Sequence, residues 1–109
     1  NCIAYTGTHD NETLKGWVGS SASGALKYAM TYFNIKKKKD IPKGMIKAAW
    51  SSVARIAVAQ IQDFLESDPT SRMNTPSTLG GNWQFRTKEE DFSEKLSKKI
   101  LKLNKIYNR

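Results

Sequence analysis

Two stretches of this 109-residue chain carry side chains able to do chemistry. The first is Thr8-His9-Asp10-Asn11-Glu12, which gathers an imidazole, carboxylates, an amide and a hydroxyl. The second runs from Arg72-Met73-Asn74-Thr75-Pro76 to Gly80-Gly81-Asn82-Trp83-Gln84-Phe85-Arg86, mixing amides and guanidinium groups with turn residues and aromatics. A self-contained zinc site would need three or four protein ligands, and the chain has one His and one Cys. The spaced acidic series and central Gly of a calcium loop are absent. Adjacent His9 and Asp10 do not ordinarily point at one another, and no Gly-x-Ser-x-Gly elbow offers a nucleophile. No Gly-rich phosphate loop follows an apolar run. The remaining chemistry is a carbohydrate-type site. There Asp, Asn, His, Arg and Gln bond sugar hydroxyls, aromatic faces pack on the ring, and a carboxylate can stabilise an oxocarbenium-like transition state. Such a site requires no cofactor. Spacing alone leaves a plainer reading open: His9-Asp10 as a turn with a local cap, and Trp83, Phe85 and Arg86 as anchors and an ion pair in a surface loop. Asn74 and Asn82 fit that plainer reading less well, because their amides suit sugar hydroxyls.

These residues need elements to hold them. Residues 2–6 form a short, strand-compatible apolar run stopped by Gly7. Residues 7–22 read as a loop containing a helical turn around Trp17. Leu26, Met30 and Phe33 at helical spacing predict a helix over 23–33, and the basic stretch 34–42 ends at Pro42 as a connector. Ile46, Trp50, Val53 and Ala54 predict an amphipathic helix over 43–55. The run 56–61 is apolar and partly β-branched, as in a parallel strand covered on both faces, and Gln62-Asp63 follows it directly. Residues 66–87 are rich in Ser, Pro, Thr, Gly and Asn; a loop of that length in a compact domain is often functional. Thr87 and Glu90 have capping-box spacing. After them Phe92, Leu96, Ile100, Leu103 and Tyr107 form an apolar stripe opposite lysines. The order strand, helices, strand, long loop, helix describes two βα units. Both polar clusters fall where the strands end, the side on which parallel α/β folds gather active-site residues.

Composition narrows the function. The length suits one domain, and 39% apolar with 26% charged residues describes a folded chain. No apolar run approaches the ~20 residues of a membrane helix. Cys2 is the only cysteine, which excludes an internal disulfide and favours a reducing, cytoplasmic setting. The start Asn1-Cys2-Ile3-Ala4-Tyr5 has neither an initiator Met nor signal-peptide character, as expected for a piece of something longer. The net charge of +8 permits attraction to polyanions. However, Lys36-Lys37-Lys38-Lys39 has no interleaved aromatic, and the lysines of the last stretch suit a solvated helix face.

At the level of blocks the chain resembles a known family. Tyr5-Thr6-Gly7-Thr8-His9-Asp10-Asn11 resembles the block bearing the third active-site carboxylate of the 4-α-glucanotransferases (amylomaltase, or disproportionating enzyme). Gln62-Asp63-Phe64-Leu65 is similar to that family's Gln-Asp-Leu-Leu stretch after a barrel strand. Arg72-Met73-Asn74-Thr75-Pro76 and Gly81-Asn82-Trp83-Gln84-Phe85-Arg86 resemble its late Arg-Met-Asn-x-Pro-Gly and Gly-Asn-Trp-x-Trp-Arg blocks. The blocks occur in the family's order from one end of the chain to the other. Departures are Glu12 for a commoner Asp, Ser77 for Gly and Phe85 for Trp.

The resemblance implies that residues 1–109 are the C-terminal part of a (β/α)8 TIM barrel, about its last two βα units, with no separate second domain. It implies transfer of α-1,4-glucan segments to an acceptor sugar hydroxyl by a retaining double displacement. The donor would be an α-1,4-glucan or maltooligosaccharide, and the acceptor glucose or a maltooligosaccharide. It assigns the stabilising carboxylate to Asp10, a sugar contact to His9, and a place near the cleft to Asn74. It sets the nucleophilic Asp and acid/base Glu upstream of Asn1, so the chain alone is expected to be inactive and to need the remainder of the barrel as its partner. Trp17, Trp50 and the last helix's stripe are then expected to lie uncovered. No nucleic-acid, membrane, metal or cofactor partner is implied. Two competing functions are a small basic module binding nucleic acid or an acidic partner, and a non-catalytic sugar-binding domain. Salt-sensitive DNA binding would favour the former, and retention on amylose would exclude it.

Overall fold

The structure, a computed structural model, describes all of residues 1–109. Its centre is a two-stranded parallel sheet: β1 (Ile3–Tyr5) beside β2 (Ile56–Val58), with Ile3 opposite Ile56, Ala4 opposite Ala57 and Tyr5 opposite Val58. Side chains alternate across the pleat. Ala4 and Ala57 face the helices and touch a core of Leu14, Ile46, Ala49 and Trp50. Ile3, Tyr5, Ile56 and Val58 face the other way and are exposed. The expectation of strands covered on both faces therefore fails here: only one face is packed. Each strand is also shorter than its apolar run, because pairing ends where Thr6 donates its N–H to Val58 O at 3.1 Å.

Between the strands lie α1 (Leu14–Ser20), α2 (Ser23–Tyr32) and α3 (Ile41–Ser51). What reads as a loop with one turn is a helix because Thr13 Oγ1 accepts the Gly16 N–H at 3.1 Å, capping α1. Helix α3 begins two residues before the sequence pattern suggests. Pro42 lies in its first turn, where a missing N–H goes unnoticed. Gly44 leaves room for Ile35, into which a Cβ would run. Leu26, Ala29 and Ile41 form a second core, against which Trp17, Val18 and Phe33 pack.

After β2, Gln60 opens the short helix α4 (Ile61–Phe64), so the run 56–61 is half strand and half helix entry. The final helix, α5 (Glu94–Tyr107), is capped by Ser93 Oγ, which accepts the Leu96 N–H at 3.3 Å. Thr87 is not its cap. A separate 3-10 turn, Glu89–Asp91, intervenes, in which the Asp91 carboxylate accepts the Lys88 N–H at 2.8 Å. Trp50 is not left uncovered as expected. It is buried, donates Nε1–H to Asn104 Oδ1 at 2.8 Å, and meets Phe64 edge-on at 5.5 Å. Trp17 is half-buried. Leu103 and Tyr107 reach the first core, whereas Phe92, Leu101 and Ile106 remain exposed. No helix is long and apolar enough to cross a membrane.

Candidate active site

The two chemistry-bearing stretches meet beyond the C-terminal ends of the strands. Thr8 to Asn11 forms a tight turn: Asn11 Oδ1 accepts the Thr8 N–H at 2.7 Å and the Thr8 hydroxyl at 3.1 Å. The plainer reading of this segment holds in part. There is a capped turn, but Asn11 caps it, which leaves the Asp10 carboxylate free to face the second stretch. Asn74 Nδ2 donates to Asp10 Oδ1 at 2.6 Å, and the Asn74 N–H donates to His9 O at 3.1 Å. His9 Nε2 stands 3.3 Å from the same carboxylate oxygen, so these neighbours do converge, against expectation. About half of each of these two side chains is exposed (54% and 47%), which leaves polar atoms available to a ligand.

Trp83 closes the group from the other side. Its ring centroid lies 5.0 Å from that of His9, tilted by 39°, and its main-chain N–H donates to Met73 O at 2.7 Å. Trp83 adopts φ +63°, a conformation costly for a bulky residue and met at ligand sites. Gly80 and Gly81, also at positive φ, bring the loop round without that cost. Asn82 does not reach the cluster: its Oδ1 accepts the Thr75 N–H at 2.8 Å, locking the second stretch on itself. Arg86 is not ion-paired as the plain reading has it; Nη1 donates to the carbonyls of Trp83 and Phe85, each at 2.8 Å. A cleft of about 360 Å3 beside the cluster is lined by His9, Gln60, Gln62, Met73, Phe85 and Arg86, among others.

The segment after β2 frames both stretches. Gln60 Nε2 donates to Thr8 O at 3.0 Å, and buried Gln62 donates to Ser71 O at 3.2 Å. Asp63 is 3% exposed and spends both oxygens on structure. Oδ1 accepts the Leu14 N–H at 2.8 Å and Oδ2 the Thr6 hydroxyl at 3.2 Å. Desolvation pushes its carboxyl above the usual range, while those two hydrogen bonds pull the other way. Asp63 thus ties the end of β1, the start of α1 and α4 together, out of a ligand's reach. Glu12 is likewise occupied, accepting the Ser20 hydroxyl at 2.7 Å. The sequence reading singled out Asp10, His9 and Asn74, and the structure brings all three together. It passed over Arg72, which bonds the carbonyls of Asp10 and Asn74.

A family model described as "4-alpha-glucanotransferase" matches residues 1–92. The chain belongs to the 4-alpha-glucanotransferase family. Among its curated relatives, the 4-alpha-glucanotransferase of Clostridium butyricum is 43% identical over 100% of this chain and 23% of its own length. The chloroplastic/amyloplastic 4-alpha-glucanotransferase of Solanum tuberosum is 38% identical over 97% of this chain and 18% of its own. Among solved structures, an amylomaltase from Streptococcus agalactiae in complex with acarbose superposes with a TM-score of 0.92. It is 36% identical and matches over 98% of this chain and 22% of that one. The chain therefore spans about a fifth of the length of the family members it matches. The expected fold is borne out: helix-rich, with short parallel strands, matching a piece of a glucanotransferase.

Proposed function

We propose that this chain is the C-terminal portion, residues 1–109, of a (β/α)8 enzyme that transfers α-1,4-glucan segments between sugars. The observation that carries this reading is the Asp10 carboxylate, oriented by Asn74 at 2.6 Å and flanked by His9 beyond the end of β1. In a retaining transfer, one carboxylate attacks the anomeric carbon as a second carboxyl protonates the departing glycosidic oxygen. The glycosyl ester is then broken by an acceptor hydroxyl, which returns its proton to that second group. Asp10 fits a third role. Half-exposed, it bonds hydroxyls of the reacting sugar and offsets the positive charge that develops on the ring. His9 supplies a further polar atom to the same sugar, and Asn74 lies at the edge of the cleft.

The attacking and protonating carboxyls are proposed to come from outside this segment, since Asp63 and Glu12 are committed to structure. The exposed face of Ile3, Tyr5, Ile56 and Val58 would then point into the barrel, where the remaining strands cover it. Donors would be α-1,4-glucans or maltooligosaccharides, and acceptors glucose or maltooligosaccharides. We place the enzyme in the cytoplasm on the strength of Cys2, the one cysteine of this segment, which is free and exposed. The test is Asp10→Asn in the longer polypeptide carrying this sequence. Transfer is expected to fall about 10²–10³-fold, with melting and retention on amylose unchanged. Transfer at the wild-type rate would refute the role of Asp10.

A further inference from the structure

Arg72 is half-buried, yet no carboxylate lies within ion-pairing distance of its guanidinium. Its donors go to backbone instead: Nη2 to Asp10 O at 2.5 Å and Nε to Asn74 O at 2.8 Å. These two carbonyls lie 64 positions apart in sequence, and the residues that own them are the ones whose side chains meet at 2.6 Å. We propose that Arg72 is a positioning residue for Asp10: its planar fork fixes the carboxylate-bearing loop against the amide-bearing loop, and so sets where the carboxylate stands. The inference rests on the transfer reading above and deepens it. Arg72 holds the backbone beneath Asp10, while Asn74 and His9 address the carboxylate itself. The backbone bond sets where Cα stands, and the side-chain contacts then choose the rotamer. Two acceptors approached along one edge of a guanidinium suit Arg and not Lys, whose single ammonium is a point charge without a fork.

The experiment compares wild type, Arg72→Ala and Arg72→Lys in the longer polypeptide carrying this sequence. It reads kcat for transfer, the dissociation constant for a maltooligosaccharide, and backbone hydrogen exchange. A carboxylate displaced by about 1 Å can cost on the order of 100-fold in rate. Both variants should therefore lose kcat by about 10–100-fold, while the dissociation constant moves less than about threefold. Added guanidinium ion should restore much of the Arg72→Ala rate; methylammonium should not, and neither should rescue Arg72→Lys, whose side chain still fills the space. An Arg72→Ala rate within about threefold of wild type would overturn the proposal. So would a loss shared equally by rate and affinity without guanidinium rescue, the mark of a merely structural residue. Should Arg72→Ala fail to fold, Arg72→Lys carries the kinetic comparison. Should the wild type itself transfer no glucan, the functional reading fails and exchange decides the clamp. Segments 8–12 and 72–75 are then expected to exchange together at least about tenfold faster in Arg72→Lys, and unchanged exchange would overturn the clamp.

Discussion

Isolating residues 1–109 from any longer polypeptide should leave a chain that cannot melt cooperatively, and surface area gives the scale. A free-standing folded chain of 12.3 kDa exposes about 6,100 Å2. This one exposes 7764 Å2, so roughly 1,700 Å2 lies uncovered beyond that expectation. Its radius of gyration, 14.5 Å, also exceeds the roughly 13 Å of a compact domain of this length. If about 55–60% of the extra surface is apolar, as on ordinary protein exteriors, some 950 Å2 of apolar contact is withheld. At about 25 cal/mol per Å2 that is on the order of 20 kcal/mol, more than the 5–15 kcal/mol by which whole domains are stable. The uncovered residues are identifiable: Ile3, Tyr5, Ile56 and Val58 on the sheet, and Phe92, Leu101 and Ile106 towards the end of the chain. The assay is urea unfolding followed by near-ultraviolet circular dichroism, with a hydrophobic dye as second probe. A broad transition with strong dye binding is expected. A single sharp transition, coincident by both probes and without dye binding, would refute the reasoning.

Three further outcomes follow from single positions, each read in the longer polypeptide carrying this sequence. Burial raises the Asp63 pKa, so its contribution to stability is present below the unfolded-state value of about 3.9 and lost as pH rises through the folded-state value. Asp63→Asn should therefore gain stability relative to wild type as pH rises through that window, measured as urea midpoints at pH 3.5 and 7; a relative loss would contradict the desolvation account. Ser77 sits at φ +63° where the family motif has Gly, so Ser77→Gly should stabilise by about 0.5–1 kcal/mol, read as a higher unfolding midpoint. Asn104→Leu strands the buried indole N–H of Trp50 and should cost about 1–3 kcal/mol by the same measurement, with no effect on glucan binding.

How far the sequence could be read depends on which atoms do the holding. The cluster of His9, Asp10 and Asn74 was legible because its members meet through side chains and stand in recognisable blocks. The Arg72 clamp was not, because its partners are carbonyl oxygens, and a carbonyl leaves no mark on residue type. Helix α3 was legible through Ile46 and Trp50, one turn apart, but its start was not, since Pro42 serves equally as a connector's end and a helix's first turn. At α5 the capping-box spacing of Thr87 and Glu90 misplaced the cap. Ser93 prevails over Thr87 because the Asp91 carboxylate diverts the Lys88 N–H into a separate turn, and Phe92 falls outside the helix's apolar stripe. The strands were too long in the sequence reading because the run from Ile56 to Ile61 stays apolar past the point where pairing stops.

The span between Asp10 and its amide partner has a consequence for how the molecule is made. The two residues are 64 positions apart, and the nearer polar contact to the Asp10 carboxylate is His9 Nε2 at 3.3 Å. At roughly 5–20 residues per second on the ribosome, Asp10 emerges several seconds before Asn74 exists to hold it. For most of that interval β1 has no β2 beside it, and Asp63 has not arrived to seat the start of α1. The carboxylate is synthesised early and is oriented only when the later half of this segment folds back onto the earlier one. A nascent chain stalled before residue 72 should therefore carry every atom of His9 and Asp10 without the amide that holds the carboxylate in place.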